Sequence, residues 1–311
     1  MKIIPTPAEI AAVKGKGFLR DKTTENCFNA RVITVNGKIT AEKMMVIAQA
    51  AQRFGNGEAA FTSRQTVEIQ KIPFENIEPL CAFLAQYGLE TGGTGPKVRP
   101  VVSCKGTTCV FGLIDTYGLS EAVHERFYKG YRGFKLPHKF KIAVGGCPNN
   151  CVKPDLNDVG VIGQRVPCFD TEICKNCKKC QLEQVCPIGA VKLSDGTLAH
   201  DARSCNNCGR CMGKCPFGVS TQYTDGYAVY IGGRWGKQAS RGRRIDHLFT
   251  DADEVLDFIE KCLLFFRENG EQGERFADTI NRIGFENTQK QLLSDDLLTR
   301  KYEIIEQFSK Q

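Results

Sequence analysis

A chain of 311 residues, 41% hydrophobic and 25% charged, has room for two or three compact units and the composition of an ordinary soluble protein. No apolar run approaches the roughly 20 residues that span a bilayer, and Pro5, Pro7, Glu9 and Lys14 break up any secretory h-region, so a cytoplasmic protein without membrane contact is expected. In a reducing compartment its 16 cysteines do not read as a disulfide framework but as metal or catalytic thiols, and the formal net charge of +7 fits either a nucleic-acid partner or anionic groups held inside the fold.

In chain order, "CFNARVITVNGKIT" reads as a strand with an Asn-Gly turn and "AEKMMVIAQAAQRFG" as a helix closed by Gly55. "AAFTSRQTVEIQKI" reads as a further strand, "ENIEPLCAFLAQYG" as a further helix, and "TGGTGPKVRP" as a linker. The β-α-β-α order predicts a small α+β domain over residues 1–92. A second α+β unit has strands at "VRPVVS", "KFKIAV", "VGVIGQ" and "YAVYIGG", with helices near 117–129, 251–268 and 271–282. It spans residues 93–166 and 224–311, because a stretch of different character, 167–223, interrupts it between its third and fourth strands.

Twelve cysteines fall into four groups, while Cys27, Cys81, Cys168 and Cys262 stand apart and read as small buried or inert thiols. "CKNCKKCQLEQVCP" is C-x2-C-x2-C-x5-C-P and "CNNCGRCMGKCPFG" is C-x2-C-x2-C-x3-C-P. In such runs three thiolates hold one cubane and the cysteine before proline ligates its neighbour. This assigns Cys174, Cys177, Cys180 and Cys215 to one [4Fe-4S] cluster and Cys205, Cys208, Cys211 and Cys186 to another. Two zinc sites would explain neither the third cysteine of each run nor the prolines. The segment 167–223 resembles a bacterial two-cluster ferredoxin inserted into its host. The other groups, "SCKGTTC" and "GGCPNNC", leave a single structural zinc open on spacing alone.

Taken with these motifs, nearly the whole chain resembles the siroheme-containing sulfite and nitrite reductases, most of all the siroheme subunit of bacterial anaerobic sulfite reductases. The resemblance implies a ferredoxin-like N-terminal domain and a third [4Fe-4S] cluster on Cys104, Cys109, Cys147 and Cys151, with Cys151 also the axial thiolate of the siroheme iron. The first pair here is C-x4-C, where many members have C-x5-C. The family's substrate-binding arginines match Arg31 and Arg64, and its two lysines match Lys139 and Lys141 in "LPHKFKIAV". On the residues alone, Lys139 and Lys141 could equally be a solvated strand face, since alternation puts both on the side opposite Phe140 and Ile142.

Three clusters and the eight carboxylates of siroheme give the basic excess partners within the protein, in place of nucleic acid. Candidate siroheme contacts are Thr107, Thr108 and Asn149 on the cysteine loops and Gly232, Gly233 and Arg234 in "YIGGRWGKQASRGRR", with Lys237 or Arg241 beside them. The activity implied is six-electron reduction of sulfite to sulfide, with nitrite to ammonia as the alternative and a non-catalytic electron-transfer subunit as the contrasting class. An electron donor, a flavoprotein or a ferredoxin, is the implied partner. Full-length members hold two related halves, the lysines coming from one and the cluster cysteines from the other. This chain carries both sets in one half, which implies a homodimer or hetero-oligomer with shared sites.

Overall fold

The computed structural model describes residues 4–194 and 196–307. The N-terminal unit is built from α1 (Pro7–Gly15), β1 (Phe18–Arg20), β2 (Cys27–Val32), α2 (Ala41–Phe54), β3 (Ala59–Phe61), β4 (Val67–Pro73) and α3 (Ile77–Ala85). Its strands form one antiparallel sheet in the order β1-β2-β4-β3. Along β2 the period of two sends Phe28, Ala30 and Val32 into a core shared with Ile47, Ala50, Leu80 and Leu84 of the helices, and leaves Arg31 on the other face. The stretch "AAFTSRQTVEIQKI", expected as one strand, is a hairpin in which Phe61 pairs with Val67. The polar run Thr62–Thr66 breaks the alternation and folds on itself, the two threonine hydroxyls 2.7 Å apart and Gln65 at φ 58°. Arg64 therefore sits at a hairpin tip and not within a strand.

The second unit comprises β5 (Val102–Ser103), α4 (Thr116–Val123) running on into a π-helical turn at His124–Lys129, β6 (Ile142–Gly145), β7 (Val159–Cys168), β10 (Gln222–Ile231) and β11 (Arg243–Phe249). Then follow α6 (Ala252–Asn269), α7 (Phe276–Ile283), α8 (Phe285–Leu293), α9 (Asp296–Thr299) and α10 (Lys301–Gln307). The sheet order is β11-β10-β7-β6-β5; β5, β6 and β7 are parallel, and β10 and β11 extend the sheet antiparallel. All four residues of β6 are buried, as a parallel strand covered on both faces requires. The apolar side of α6 packs there, Phe266 lying 5.9 Å from Phe140 between ring centres. The edge strand β11 was not foreseen: its sequence "RRIDHLF" buries only Ile245 and Phe249 and turns its charges to solvent.

Between β7 and β10 the chain makes one long excursion. Cys168 and Gln222 are direct partners across the ladder, so the excursion covers 169–221, two residues inside each expected boundary. It holds α5 (Gln181–Val185), the hairpin β8 (Val191–Ser194) and β9 (Thr197–His200), and a small core of Leu182, Val191, Leu198 and Val219 against which five of the cysteines pack. Among the described residues no helix is long and apolar enough to cross a membrane.

Candidate functional site

The parallel strands sort the candidate residues by end. Cys104 follows β5 and Cys147 lies two residues beyond β6, so both leave from the carboxyl ends of parallel strands, where α/β sheets habitually bind ligands. Their loops meet through glycine: a Cβ on Gly106 or on Gly146 would stand 2.8 Å from the other's Cα. The amide of Gly146 donates to Cys104 Sγ at 3.1 Å. Burial raises the Cys147 thiol, the neighbouring Cys104, Cys151 and Cys109 raise it further, and the Asn149 amide opposes them. Cys104, Cys109 and Cys151 are thus all near enough to act on the charge of Cys147, with Cys151 the exposed member. Among the described residues no three His, Cys, Asp or Glu side chains close on a point as a single ion requires.

The excursion gathers its cysteines into two sets. Cys174, Cys177, Cys180 and Cys215 line one pocket of about 180 Å³. Cys186, Cys205, Cys208 and Cys211 line another, where Cys211 is pushed up to about 11 by burial and then by its three neighbours. Each set crosses between the two sequence runs, taking the cysteine before proline from the other one.

The cations collect at the opposite, starting ends of the same strands. Arg64 reaches across from the N-terminal unit, its Nε donating to the Pro100 carbonyl at 3.0 Å, Nη1 to Asn157 Oδ1 at 3.0 Å and Nη2 to the Ile142 carbonyl at 3.1 Å. With Lys141, Lys153 and Trp235 it lines a pocket of about 200 Å³. Burial, then the Arg64 charge, brings Lys141 down to about 8. Burial, then Arg275 and Arg99, lowers Lys139, and burial lowers Arg64 to about 10. Arg31, paired with Glu68 at 3.2 Å, adds to the field that holds Arg99 down to about 10 after burial. All four expected cations therefore join one field.

Sequence reading missed three members of this cluster. Arg99 donates to the Gly93 carbonyl. Arg275 pairs with fully buried Asp158 at 3.0 and 3.1 Å, and Asp158 also accepts the Lys141 amide at 2.9 Å. Partners 17 and 117 residues away leave no local pattern. The Nε atoms of Arg99 and Arg275 are buried without a partner among the described residues, which leaves two donors unsatisfied in this cluster.

Of the remaining candidates, Thr107 and Thr108 are exposed on the first cysteine loop, Thr107 donating to Asp115 at 2.7 Å and Thr108 to the Lys105 carbonyl at 3.2 Å. Asn149 is exposed beside Cys147. Gly233 is a glycine because a Cβ would meet the carbonyls of Asn157 and Asp155 at 2.3 and 2.4 Å. Gly232 has φ +78°. Arg234 is held by Asp278 at 2.8 and 2.9 Å, and Arg241 by Asp155.

The fold and its cysteine-bearing loops place the chain among iron–sulfur oxidoreductases. It belongs to the nitrite and sulphite reductase family: residues 94–300 match the "Nitrite and sulphite reductase 4Fe-4S domain" and residues 20–87 the "Nitrite/Sulfite reductase ferredoxin-like half domain". It is 32% identical over 247 residues to a coenzyme F420-dependent sulfite reductase of Methanocaldococcus jannaschii, which covers 78% of this chain but 38% of that enzyme's length. It is 28% identical over 251 residues to one subunit of the anaerobic sulfite reductase of Salmonella typhimurium, covering 75% of this chain and 72% of that one. Dissimilatory sulfite reductase I superposes with a TM-score of 0.69 over 86% of this chain and 69% of its own, at 22% identity, which speaks to the fold.

Proposed function

We propose that the chain reduces sulfite to sulfide: one sulfite takes six electrons and seven protons and leaves as hydrosulfide and three waters. The carrying observation is the arrangement along the parallel strands, with Cys104 and Cys147 beyond their carboxyl ends and a half-buried cation cluster at their starting ends. The donor set fits the groups expected. Four thiols, three of them near enough to act on the fourth, suit a [4Fe-4S] cluster on Cys104, Cys109, Cys147 and Cys151, and unpartnered guanidinium donors suit a polycarboxylate and an oxyanion. Siroheme, when bound, supplies the iron at which the anion is held and electrons arrive.

Arg31, Arg64, Lys139 and Lys141 are assigned to hold the oxyanion, where fixed cations stabilise developing negative charge. Lys141, at about 8, carries a proton at Nζ that is available near neutral pH for a departing oxygen. The excursion's two thiol sets are assigned to two further clusters that deliver the electrons.

β6 alone separates Lys141 from Cys147 by about 13 Å at ~3.3 Å per residue, while Lys153, two residues after Cys151, lines the Lys141 pocket. That separation supports a site completed by a second copy or a related subunit. Anaerobic purification with an optical spectrum, an iron count and turnover of both sulfite and nitrite tests the reading. Twelve cluster irons and a haem band with sulfite turnover are expected. Iron sufficient for two clusters without a haem band would sink it, and nitrite turnover alone would change the substrate. Subunit exchange between a Lys139→Ala/Lys141→Ala chain and a Cys151→Ala chain tests the shared site: recovered activity is expected, and none after demonstrated exchange would refute it.

A further inference from the structure

The two thiol sets of the excursion are not equivalent in position. The set with Cys205, Cys208, Cys211 and Cys186 is seated on β7: the Arg165 amide donates to the Asn207 carbonyl at 2.8 Å, Arg165 bridges Cys208, and Pro167 lines the same pocket. Gly145 of β6 pairs with Ile162 of β7, so Cys147, two residues on, lies at about the level of Gln164. The Cys174 set comes after the strand has ended at Cys168. Along β7 the order is therefore host thiols, inner set, outer set.

The outer set carries an unusual surface. Between Cys174 and Cys180 stand Lys175, Lys178 and Lys179, with no acidic residue among them, and all three are exposed. Among the described residues none of them makes an ion pair. Ile173 and Phe217 are 38% and 47% exposed beside them, Ile173 Cδ1 lying against Gly218. Exposed Glu172 precedes Ile173, but the stretch between the cysteines is purely basic, and apolar groups beside such unpaired positive charge have the make-up of a transient docking face.

We propose that electrons enter at the outer set, Cys174, Cys177, Cys180 and Cys215, from a one-electron carrier protein with an acidic face that docks on Lys175, Lys178, Lys179, Ile173 and Phe217. This rests on the cluster reading above and names the entry point and partner chemistry within it. At each encounter the carrier's reduced centre loses one electron and the outer [4Fe-4S]²⁺ becomes [4Fe-4S]⁺, with no bond made or broken. The inner set then lies between entry and the host thiols. Opposite charges steer such encounters and raise their rate by tenfold or more at low ionic strength.

The test is stopped-flow reduction of the holoprotein by a reduced acidic ferredoxin, compared with photoreduced deazariboflavin, a small uncharged reductant. For Lys175→Glu/Lys178→Glu/Lys179→Glu, the ferredoxin rate should fall at least about tenfold at low salt, and the deazariboflavin rate should stay at the wild-type value. Raising the salt to about 0.5 M, where charges are screened within a few ångströms, should bring the wild-type ferredoxin rate down toward the variant's. An unchanged ferredoxin rate in the variant would overturn the docking face. Equal slowing with both reductants would assign the lysines to the cluster's own charge instead. Absence of reduced [4Fe-4S] signals by electron paramagnetic resonance in the wild type would fail the cluster reading itself and this proposal with it.

Discussion

Replacing Asp158 by Asn removes the carboxylate that pairs with Arg275 inside the second unit. The carboxylate is fully buried and the guanidinium side chain is 7% exposed, with 3.0 Å between them. Coulomb attraction at that distance and an effective dielectric constant of about 20 is about 5 kcal/mol, close to the roughly 3–5 kcal/mol that breaking one side of a buried pair costs. At about 2–4 °C per kcal/mol, the unfolding midpoint should fall by about 6–20 °C. Burial raises the Asp158 carboxyl, while Arg275 and the Lys141 amide pull it down. The double variant Asp158→Asn/Arg275→Met should regain part of the loss, because Arg275 is no longer left unpaired, while Arg64, Arg99 and Lys141 still lose the Asp158 charge. Thermal unfolding followed by circular dichroism on anaerobically purified protein reads both. A single variant within about 2 °C of wild type, or a double variant as unstable as the single, would refute the reasoning.

Lys141 offers a pH test with a defined sign. Its folded-state pKa is about 8 against an ordinary 10.5, so the cation is present below about 8 and lost above it; kcat/KM for the anion should fall as pH rises through about 8, and Lys141→Arg should move that limb upward by at least about one unit. The same shift means that between about 8 and 10.5 the unfolded chain binds more protons, and this residue's contribution to stability should rise with pH, a slope that Lys141→Met removes in denaturant titrations. Arg64→Ala should lower sulfite turnover by about 2–4 kcal/mol of transition-state stabilisation while a haem band survives; unchanged kinetics in Lys139→Ala and Lys141→Ala would return those lysines to a solvated strand face. Cys174→Ser should impair reduction by the protein donor while leaving the haem band, since the excursion has its own small core; loss of the haem would tie the excursion to the host's folding.

Local pattern told of some features and could not tell of others. The two four-thiol sets were legible because the C-x2-C spacing and the following prolines fix which cysteine crosses over, and Cys186 does stand with Cys205, Cys208 and Cys211. Alternation placed Phe140 and Ile142 inside with Lys139 and Lys141 half-buried on the other side. The hairpin at Arg64 was hidden because Thr62–Thr66 could be a polar face or a turn, and only the pairing of Phe61 with Val67 decides between them. Asp158, Arg99 and Arg275 gave no signal at all: each owes its role to neighbours brought from other elements by the sheet, and a buried ion pair 117 residues apart has no period.

The β7–β10 ladder also bears on how such a chain could have been assembled. Because Cys168 and Gln222 face each other as paired residues, the two strand ends stand side by side, at the spacing a tight hairpin turn bridges. The host sheet is continuous up to that point and does not depend on the length of what leaves it. A two-residue Asn-Gly connection could replace all of 169–221, and conversely a gene segment whose ends meet closely could be spliced into an ancestral hairpin there without disturbing register. The segment proposed to deliver electrons is thus a cartridge, exchangeable for another with adjacent termini, and on that proposal one catalytic body could be wired to different donors by changing the cartridge alone.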